Sequence, residues 1–484
     1  MAPLPLVQQR WIGALLGLGF TCWPPFTPGV KAAEPQQLAS ASATAVVLQS
    51  AVEPARSSRG PWLRVLLLED QGIAVRPAAE GVGLRLRDGQ GRVLGEWTGA
   101  PTLQFLQREG RVQVNLPEPL LAAEIWIEAL SSPSDPDPGL WLQQRRYRGV
   151  LQVRPQSSGL QVINHVPLET YLGSVVGSEM PASWPLEALR AQAVAARTYA
   201  LKSRRPAQPF DLKATVASQV YRGVETETPS TLAAVDTTRG LVLTHEDALI
   251  DAVFHSSSGG RTESSGDLWA RQLPYLVSVP DFDQDSPVRE WRQSLDAAQL
   301  RKAFPELGGV RSIEVVGASP TGRIRQARVV GVSGQLLLSG AELRSRLGLR
   351  STWVRFEPMA LEPVTTAMPV ALPSALAPPL AALPPLPVLN QPDPAASPSP
   401  QPGLEASSPA ERLPGLVAVG RGFGHGIGMS QWGALALAQR GESFMAILRH
   451  YYRGTRLQPY GRLETAAQQP GGAAEGRLSV AGSP

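Results

Sequence analysis

The sequence predicts an α+β protein: a mixed core of antiparallel strands and a few helices, preceded by a small β-rich unit and interrupted by a Pro/Ala-rich segment. Three observations carry that prediction. Between Leu63 and Leu130, runs such as LRVLLLE, GVGLRLRDGQGRVLGEW and GRVQVNL alternate apolar and polar residues, and Asp-Gly, Gly-Gln-Gly and Glu-Gly turns break them. After Pro185, which suits a first helical position, EALRAQAVAARTYALK is rich in strong helix formers, with Glu187 in the first turn. From Pro358 to about Pro409 the chain is dominated by Pro, Ala, Leu and Ser, and proline at that density stops both ladder pairing and helix growth.

Taken in order, residues 1–33 read as a secretory signal. Arg10 precedes the apolar run WIGALLGLGFTCW, a Pro-rich break follows, and small residues stand at Ala32 and Ala33. The run is short for a membrane span, and no later run is long enough to cross a bilayer, so export to the periplasm or the wall side of the membrane is expected. The single cysteine, Cys22, falls inside this segment, leaving the mature chain without thiol, disulfide or cysteine metal ligand. Residues 34–58 are an Ala/Ser/Gln-rich lead-in without periodicity, and residues 59–140 form the small β-rich unit.

The joint SSPSDPDPG leads into a core assigned to residues 141–357. It opens with two strands around a Ser-Ser-Gly turn, continues with the helix after Pro185, and closes with a hairpin, a further strand and a short helix in RSIEVVGASPTGRIRQARVVGVSGQLLLSGAELRSRLGL. In the long helix Leu186, Leu189, Ala193, Ala196 and Ala200 share one stripe, a face for close packing. The Pro/Ala-rich insertion covers 358–412. Residues 413–460 supply a strand, a glycine-rich loop and two helical stretches that fold back on the core, and 461–484 are a tail.

At 484 residues the chain accommodates two folded units plus linkers, and its net charge of +4 is carried almost entirely by dispersed arginines. Dispersed charge of this size is not the footprint of a nucleic-acid binder, which clusters cations on one face. The residue that draws attention is Glu179, set among Val175, Val176, Met180, Pro181, Trp184 and Pro185. Poor hydration raises a carboxyl pKa and makes it a usable general acid near neutral pH. The competing reading is a carboxylate that caps a backbone amide or pairs with an arginine.

Six segments, GSEMPASWPLEALRAQAVAARTYAL, ASQVYRG, FHSSSGGRTESSGDLW, PYLVSV, LSGAELRSRLGLRSTWVRF and GRGFGHGIGMSQWGA with ILRHYYRGTRL, stand in an order that resembles the SpoIID/LytB family of peptidoglycan-acting proteins. The resemblance runs from about Tyr147 to Leu457. It implies a lytic transglycosylase that cuts glycan strands between N-acetylmuramic acid and N-acetylglucosamine, leaves a 1,6-anhydro sugar and prefers strands stripped of stem peptides. It also implies that Glu179 of the SEMP motif is catalytic. A lytic transglycosylase manages with one carboxyl, because the sugar's own C6 hydroxyl replaces water; hydrolases normally add a second.

Around Glu179, the expected substrate-binding residues are Ser178, Arg197, His425, Gln431 and Trp432. Arg197 would bind a sugar carboxylate or orient Glu179, Gln431 would hydrogen-bond and Trp432 would offer a stacking face; against these stand a structural arginine and a tight turn around a core tryptophan. Some family members bind zinc near the HSSSGG motif through cysteines and histidines. Here serines follow His255, so no metal and no cofactor are expected. The partners implied are glycan strands and, on the alternative reading of a non-catalytic activator, an N-acetylmuramoyl-L-alanine amidase.

Overall fold

The computed structural model describes residues 60–79, 81–99, 102–130, 137–359 and 415–463. By its contacts the chain divides after Val47, and the first unit, Met1–Val47, lies outside the described residues. So do the expected signal (1–33), lead-in (34–58) and residues 360–412 of the expected insertion, and the described residues all belong to the second unit.

The mixed α+β class read from the sequence is what the structure has. Two antiparallel-dominated sheets share one core. The first runs, edge to edge, through Leu212–Lys213, Trp62–Asp70, Gly159–Pro167, Val150–Gln156, Ile125–Ala129, Leu84–Arg87 and Val93–Trp97. The second runs through Arg145–Tyr147, Leu140–Leu142, Gly72–Pro77, Leu103–Arg108, Arg111–Val114 and Leu120–Ala122. Trp62–Asp70 pairs along its length with Gly159–Pro167, so strands from both sides of residue 140 share one sheet. The compositional joint at Ser131–Gly139 therefore does not set the N-terminal strands apart; they are built into the core. Gly159–Pro167 is buried along nearly its whole length, between the second sheet and the helices, and its polar residues Gln161, Asn164 and His165 are each hydrogen-bonded within the protein.

On the helical side, α1 (Leu168–Glu179) leaves that strand directly at Pro167 and ends on Glu179. This helix was not foreseen: Gly173, Gly177, Val175 and Val176 are poor helix formers, and packing overrides them. The glycines serve close approach. A Cβ on Gly177 would sit 1.9 Å from the Thr226 carbonyl oxygen, so only glycine lets α1 lie against the Val224–Thr226 turn. The next helix, α2 (Leu186–Lys202), is buried almost all round rather than along a single stripe, and Leu186 itself is exposed. It contacts α1, α3 (Pro229–Thr237) and the Leu241–His245 strand, and small residues at Ala191, Ala193, Ala195 and Ala196 permit packing on every side.

A short turn of helix, α4 (Ser265–Leu268), precedes a smaller lobe with its own apolar core around Trp291, Phe304, Ile324 and Leu343. The lobe contains α5 (Ala297–Ala303), the Val310–Ala318, Ile324–Gly331 and Gln335–Ser339 sheet, and α6 (Gly340–Leu347). Residues 141–357 thus hold parts of two cores. The C-terminal stretch then threads both. Leu416–Arg421 pairs with Glu290–Leu295 and Val354–Pro358 in the lobe, Met429–Ser430 pairs with Phe254–His255, and Arg456–Pro459 pairs with Leu241–His245. Helices α7 (Gln431–Gln439) and α8 (Phe444–Tyr451) close over α2. The described chain runs on to Leu463, three residues into the expected tail, where Leu463 packs on the main core.

Because the α1 contact at Gly177 is with backbone, which cannot rotate away, Gly177→Ala should lower the unfolding free energy by about 1–3 kcal/mol, the usual cost of overpacking. Denaturant titration of the purified variant checks this, and an unchanged midpoint would contradict the tight contact.

Candidate active site

Glu179 is the last residue of α1, where the helix stops because Met180 turns extended and its N–H closes the final turn on the Val176 carbonyl. The carboxyl is partly buried. Its Oε1 accepts a hydrogen bond from the Val220 N–H at 2.9 Å, and its Oε2 accepts one from Gln431 Nε2 at 3.1 Å. Burial raises the carboxyl pKa, opposed by the Val220 amide, the Gln431 amide and the positive charge of Arg222. The group is therefore biased toward its neutral form while still reachable from outside, the combination a general acid needs.

Each donor is held in place by its own neighbours. Tyr171 on α1 donates to Gln219 Oε1 at 3.0 Å, and Gln219 Nε2 donates to the Ala196 carbonyl at 3.3 Å. Tyr221 donates to Asn164 Oδ1 at 2.9 Å and packs against the Tyr147 and Tyr171 rings. With Gln219 and Tyr221 both tied inward, the amide of Val220 between them is fixed toward Glu179. Gln431 opens α7, whose N-cap, Ser430, accepts from the Gly433 N–H at 3.2 Å, and the neighbouring Trp432 N–H donates to the Ser256 carbonyl at 3.0 Å. The glycine-rich loop before it is needed sterically: a Cβ on Gly428 would lie 2.2 Å from the Val253 carbonyl oxygen, and the residue has φ 73°.

Of the expected site residues, Gln431 touches Glu179 directly. Trp432 sits beside it, meeting Trp184 edge to face at 5.2 Å between ring centres, so two half-exposed indoles flank the carboxyl segment. Ser178 turns away and donates to Thr226 Oγ1 at 3.3 Å, tying α1 to the turn it packs on. His425 lies in a separate pair with His255, ring centres 5.3 Å apart. Its Nδ1 accepts the Ile427 N–H at 3.1 Å, and burial pushes its pKa down to about 4, so it is a neutral, structural histidine near pH 7. Burial likewise holds His255 well below its ordinary range, with its ring bonded to the Ile427 carbonyl. Among the described residues no three His, Cys, Asp or Glu side chains converge as metal ligands.

Arg197 requires a correction. It has no exposed surface, and all its donors are taken within the protein. Nε and Nη2 form a fork on Glu169 of α1 at 2.9 and 2.7 Å, while the remaining bonds go to Thr238 Oγ1 and to the Leu241 and Val235 carbonyls. No donor remains for a sugar carboxylate, and the arginine acts as a clamp joining α1, α2 and the end of α3. Sequence reasoning passes over Val220 and Arg222, and reads Trp184 only as part of the apolar setting of Glu179. The ASQVYRG segment was recognised as a motif, but a backbone amide leaves no mark in side-chain chemistry.

The serine-rich run is pinned by two buried aspartates. Asp283 Oδ2 accepts from Ser257 Oγ at 2.5 Å and the Gly259 N–H at 2.7 Å; Asp281 accepts from Ser258 Oγ at 2.5 Å and Tyr451 Oη at 2.6 Å.

Two outcomes follow from this geometry. Arg197→Met leaves Glu169 without its partner and should cost about 3–5 kcal/mol of stability, with Arg197→Lys recovering only part because an ammonium lacks the planar fork; denaturant unfolding reads both. For Glu179, the folded carboxyl keeps its proton at pH values where the unfolded one, near its ordinary 4.5, has lost it. The folded state then binds more protons, and this group's contribution to stability declines as pH rises from 4.5 through the raised folded pKa. Glu179→Gln removes that dependence, so the stability difference between variant and parent should grow in the variant's favour across that window. Parallel unfolding-versus-pH curves would contradict the raised pKa.

The site carries its own family signature. Residues 156–245 match the SpoIID family, described as stage II sporulation protein. An uncharacterized protein of Brachyspira hyodysenteriae is 29% identical over 329 residues, covering 67% of this chain and 76% of the relative. The stage II sporulation protein D of Bacillus subtilis is 28% identical over 320 residues, 61% of this chain and 76% of that protein. The Bacillus subtilis amidase enhancer is 31% identical over 310 residues, but the match spans only 40% of that relative's length. The matched segment 156–245, which carries Glu179 and the Val220 amide that orients it, is what the chain shares with the SpoIID family.

Proposed function

We propose that the protein is a peptidoglycan lytic transglycosylase in which Glu179 serves first as acid and then as base. The supporting observation is a single carboxyl, partly buried and biased toward its neutral form, whose two oxygens are each oriented by a fixed amide donor. No second carboxylate is among the groups that shift it. In the first half of the reaction Glu179 gives its proton to the glycosidic oxygen as the C1–O bond breaks, and the bond's electrons leave with the N-acetylglucosamine O4. The resulting carboxylate then takes the proton of the muramic acid C6 hydroxyl as O6 bonds to C1. A 1,6-anhydro sugar forms, no water is consumed, and the acid is regenerated.

The donors contribute selectively. Hydrogen bonds from Val220 and Gln431 favour the ionised carboxyl over the neutral one, so they strengthen as the proton leaves and stabilise the charge that develops on Glu179. Trp184 and Trp432 offer apolar faces on which a sugar ring can stack beside the carboxyl. On this reading the protein works on the wall side of the cytoplasmic membrane; no helix of the described residues is long and apolar enough to cross one.

A second reading is favoured by one relative's name, amidase enhancer: a glycan-binding protein that activates an N-acetylmuramoyl-L-alanine amidase without cutting glycan itself. Incubation of purified protein with peptide-stripped glycan strands, followed by mass spectrometry for anhydro-disaccharides, separates the two. We expect product from the parent protein, and a loss of about a hundred- to ten-thousand-fold in Glu179→Gln, the range typical of a general acid–base group. The parent's rate should fall as pH rises through the raised Glu179 pKa. Strands bound without product would favour the activator; product surviving in Glu179→Gln would remove the residue from its role.

A further inference from the structure

The loop that leaves α2 gathers cations that no carboxylate meets. Lys202, Arg204, Arg205 and Lys213 are all exposed, and none of them forms an ion pair among the described residues. The one acid between them, Asp211, is already taken: it accepts from the Arg64 N–H at 2.9 Å, from Arg64 Nη2 at 2.8 Å and from the Arg205 N–H at 2.9 Å. Arg64 also donates to the Gln208 and Arg205 carbonyls, each at 2.6 Å, so one guanidinium draws the loop backbone in and leaves residues 204–209 on the surface. On the smaller lobe, by contrast, Arg292 and Arg355 are met by Glu357, Arg346 by Glu306 and Arg421 by Glu290.

Exposed apolar groups flank these cations. Trp62 lies on the same outward face of its strand as Arg64, two residues before it, and keeps 39% of its surface in solvent. Lys213 pairs with Leu66 of that strand, and the chain then turns back on itself, with the Tyr221 N–H on the Ala214 carbonyl at 3.3 Å and the Ser218 N–H on the Thr215 carbonyl at 2.9 Å. At the tip stands Val216, 82% exposed, the most exposed large apolar side chain of the described residues. The chain enters the described residues at Gly60, so the segment that carries the apolar run Trp11–Trp23 joins the fold beside Trp62.

We propose that this face docks on an anionic phospholipid surface, with Lys202, Arg204, Arg205 and Lys213 among the headgroup phosphates and Trp62 and Val216 entering the interface. Unpaired cations supply the attraction to a negative leaflet, while an indole and an exposed aliphatic tip favour the boundary between headgroups and acyl chains. A soluble polyanion would use the cations and leave Val216 idle, so the bilayer is the better fit. This contact goes beyond the reading of Glu179 and does not depend on it. Its consequence for the site is one of place: Val216 stands four residues before the Val220 amide, a backbone span of at most about 14 Å, so docking brings Glu179 to the glycan nearest the membrane.

The test is sedimentation of the full chain with vesicles of phosphatidylcholine alone and of phosphatidylcholine mixed with phosphatidylglycerol, read as the ratio of the two affinities. Everything upstream of Gly60 is common to parent and variants, so a change in the ratio reports this face. We expect the parent to prefer the mixed vesicles, and less strongly as salt is raised. Each cation replaced by glutamine should lower the ratio by about fivefold, in the pairs Arg204→Gln with Arg205→Gln and Lys202→Gln with Lys213→Gln as well as in all four together. Val216→Ser should weaken binding to both compositions and leave their ratio alone. An unchanged ratio in either pair or in all four together, with the unfolding midpoint at the parent's, would overturn the proposal. So would displacement of the parent from mixed vesicles by soluble polyglutamate together with a Val216→Ser variant that binds like the parent, since the face would then be one for polyanions in solution.

Discussion

A carboxyl that is to keep its proton near neutral pH has to be withdrawn from water, and once withdrawn its oxygens still need hydrogen-bond partners. Glu179 meets both demands with donors that lie 41 and 252 positions further along the chain. Much of the architecture can be understood as the means of holding those three segments together. The Tyr171 and Asn164 bonds anchor the strand-like stretch that brings the Val220 amide, and the parallel bridge between Phe254–His255 and Met429–Ser430 delivers Gln431 at the first position of α7. Because α7 and α8 close over α2, the C-terminal segment cannot shift without disturbing the main core.

The other end of α1 faces a different problem. Helix α2 packs on its neighbours largely through alanines, and small residues bring backbones close but supply little directional force. The Arg197–Glu169 fork provides the direction. One guanidinium with no exposed surface joins α1 to carbonyls at the end of α3 and at Leu241, and so fixes the rotation of α1 that aims Glu179 at its donors. A buried ion pair is often a weak source of net stability; here every donor is matched, which limits the desolvation cost and leaves geometric specificity as its main contribution.

Sequence reading recovered what is local. The helix after Pro185, the hairpin, strand and helix between Val310 and Leu347, and the strand, glycine loop and helices after Leu416 all follow from periodicity and turn chemistry that neighbouring residues carry. What it missed is set by tertiary context. α1 forms from a stretch with two glycines and two adjacent valines because its surroundings leave room for nothing bulkier at Gly177. The N-terminal strands looked separate because composition changes at Ser131–Gly139, whereas sheet membership is decided by pairing with Gly159–Pro167. At the site, Glu179 and Gln431 were legible as chemically distinctive side chains in distinctive surroundings. For Arg197 only the sugar-carboxylate reading fails, because sequence alone does not say whether a helical arginine faces a cleft or a carboxylate inside the protein.

The serine run HSSSGG illustrates how such a fold manages without thiols in its described residues. Loops that carry functional groups must be cross-linked to the core, and disulfides or thiolate–metal centres are two ways of doing so. Here hydroxyl-to-carboxylate bonds do it: Ser257 and Ser258 hold Asp283 and Asp281, and Asp281 also accepts from Tyr451 of α8. Burial and the nearby Asp283 charge raise the Asp281 pKa, while the serine and tyrosine hydroxyls oppose the rise by bonding its ionised form. Hydroxyls are therefore specified at these positions by the acceptors they face, since alanine would leave a buried carboxylate short of donors. The same loop presents the Ser256 carbonyl to the Trp432 N–H, so the aspartate pair helps set the position from which Gln431 reaches Glu179.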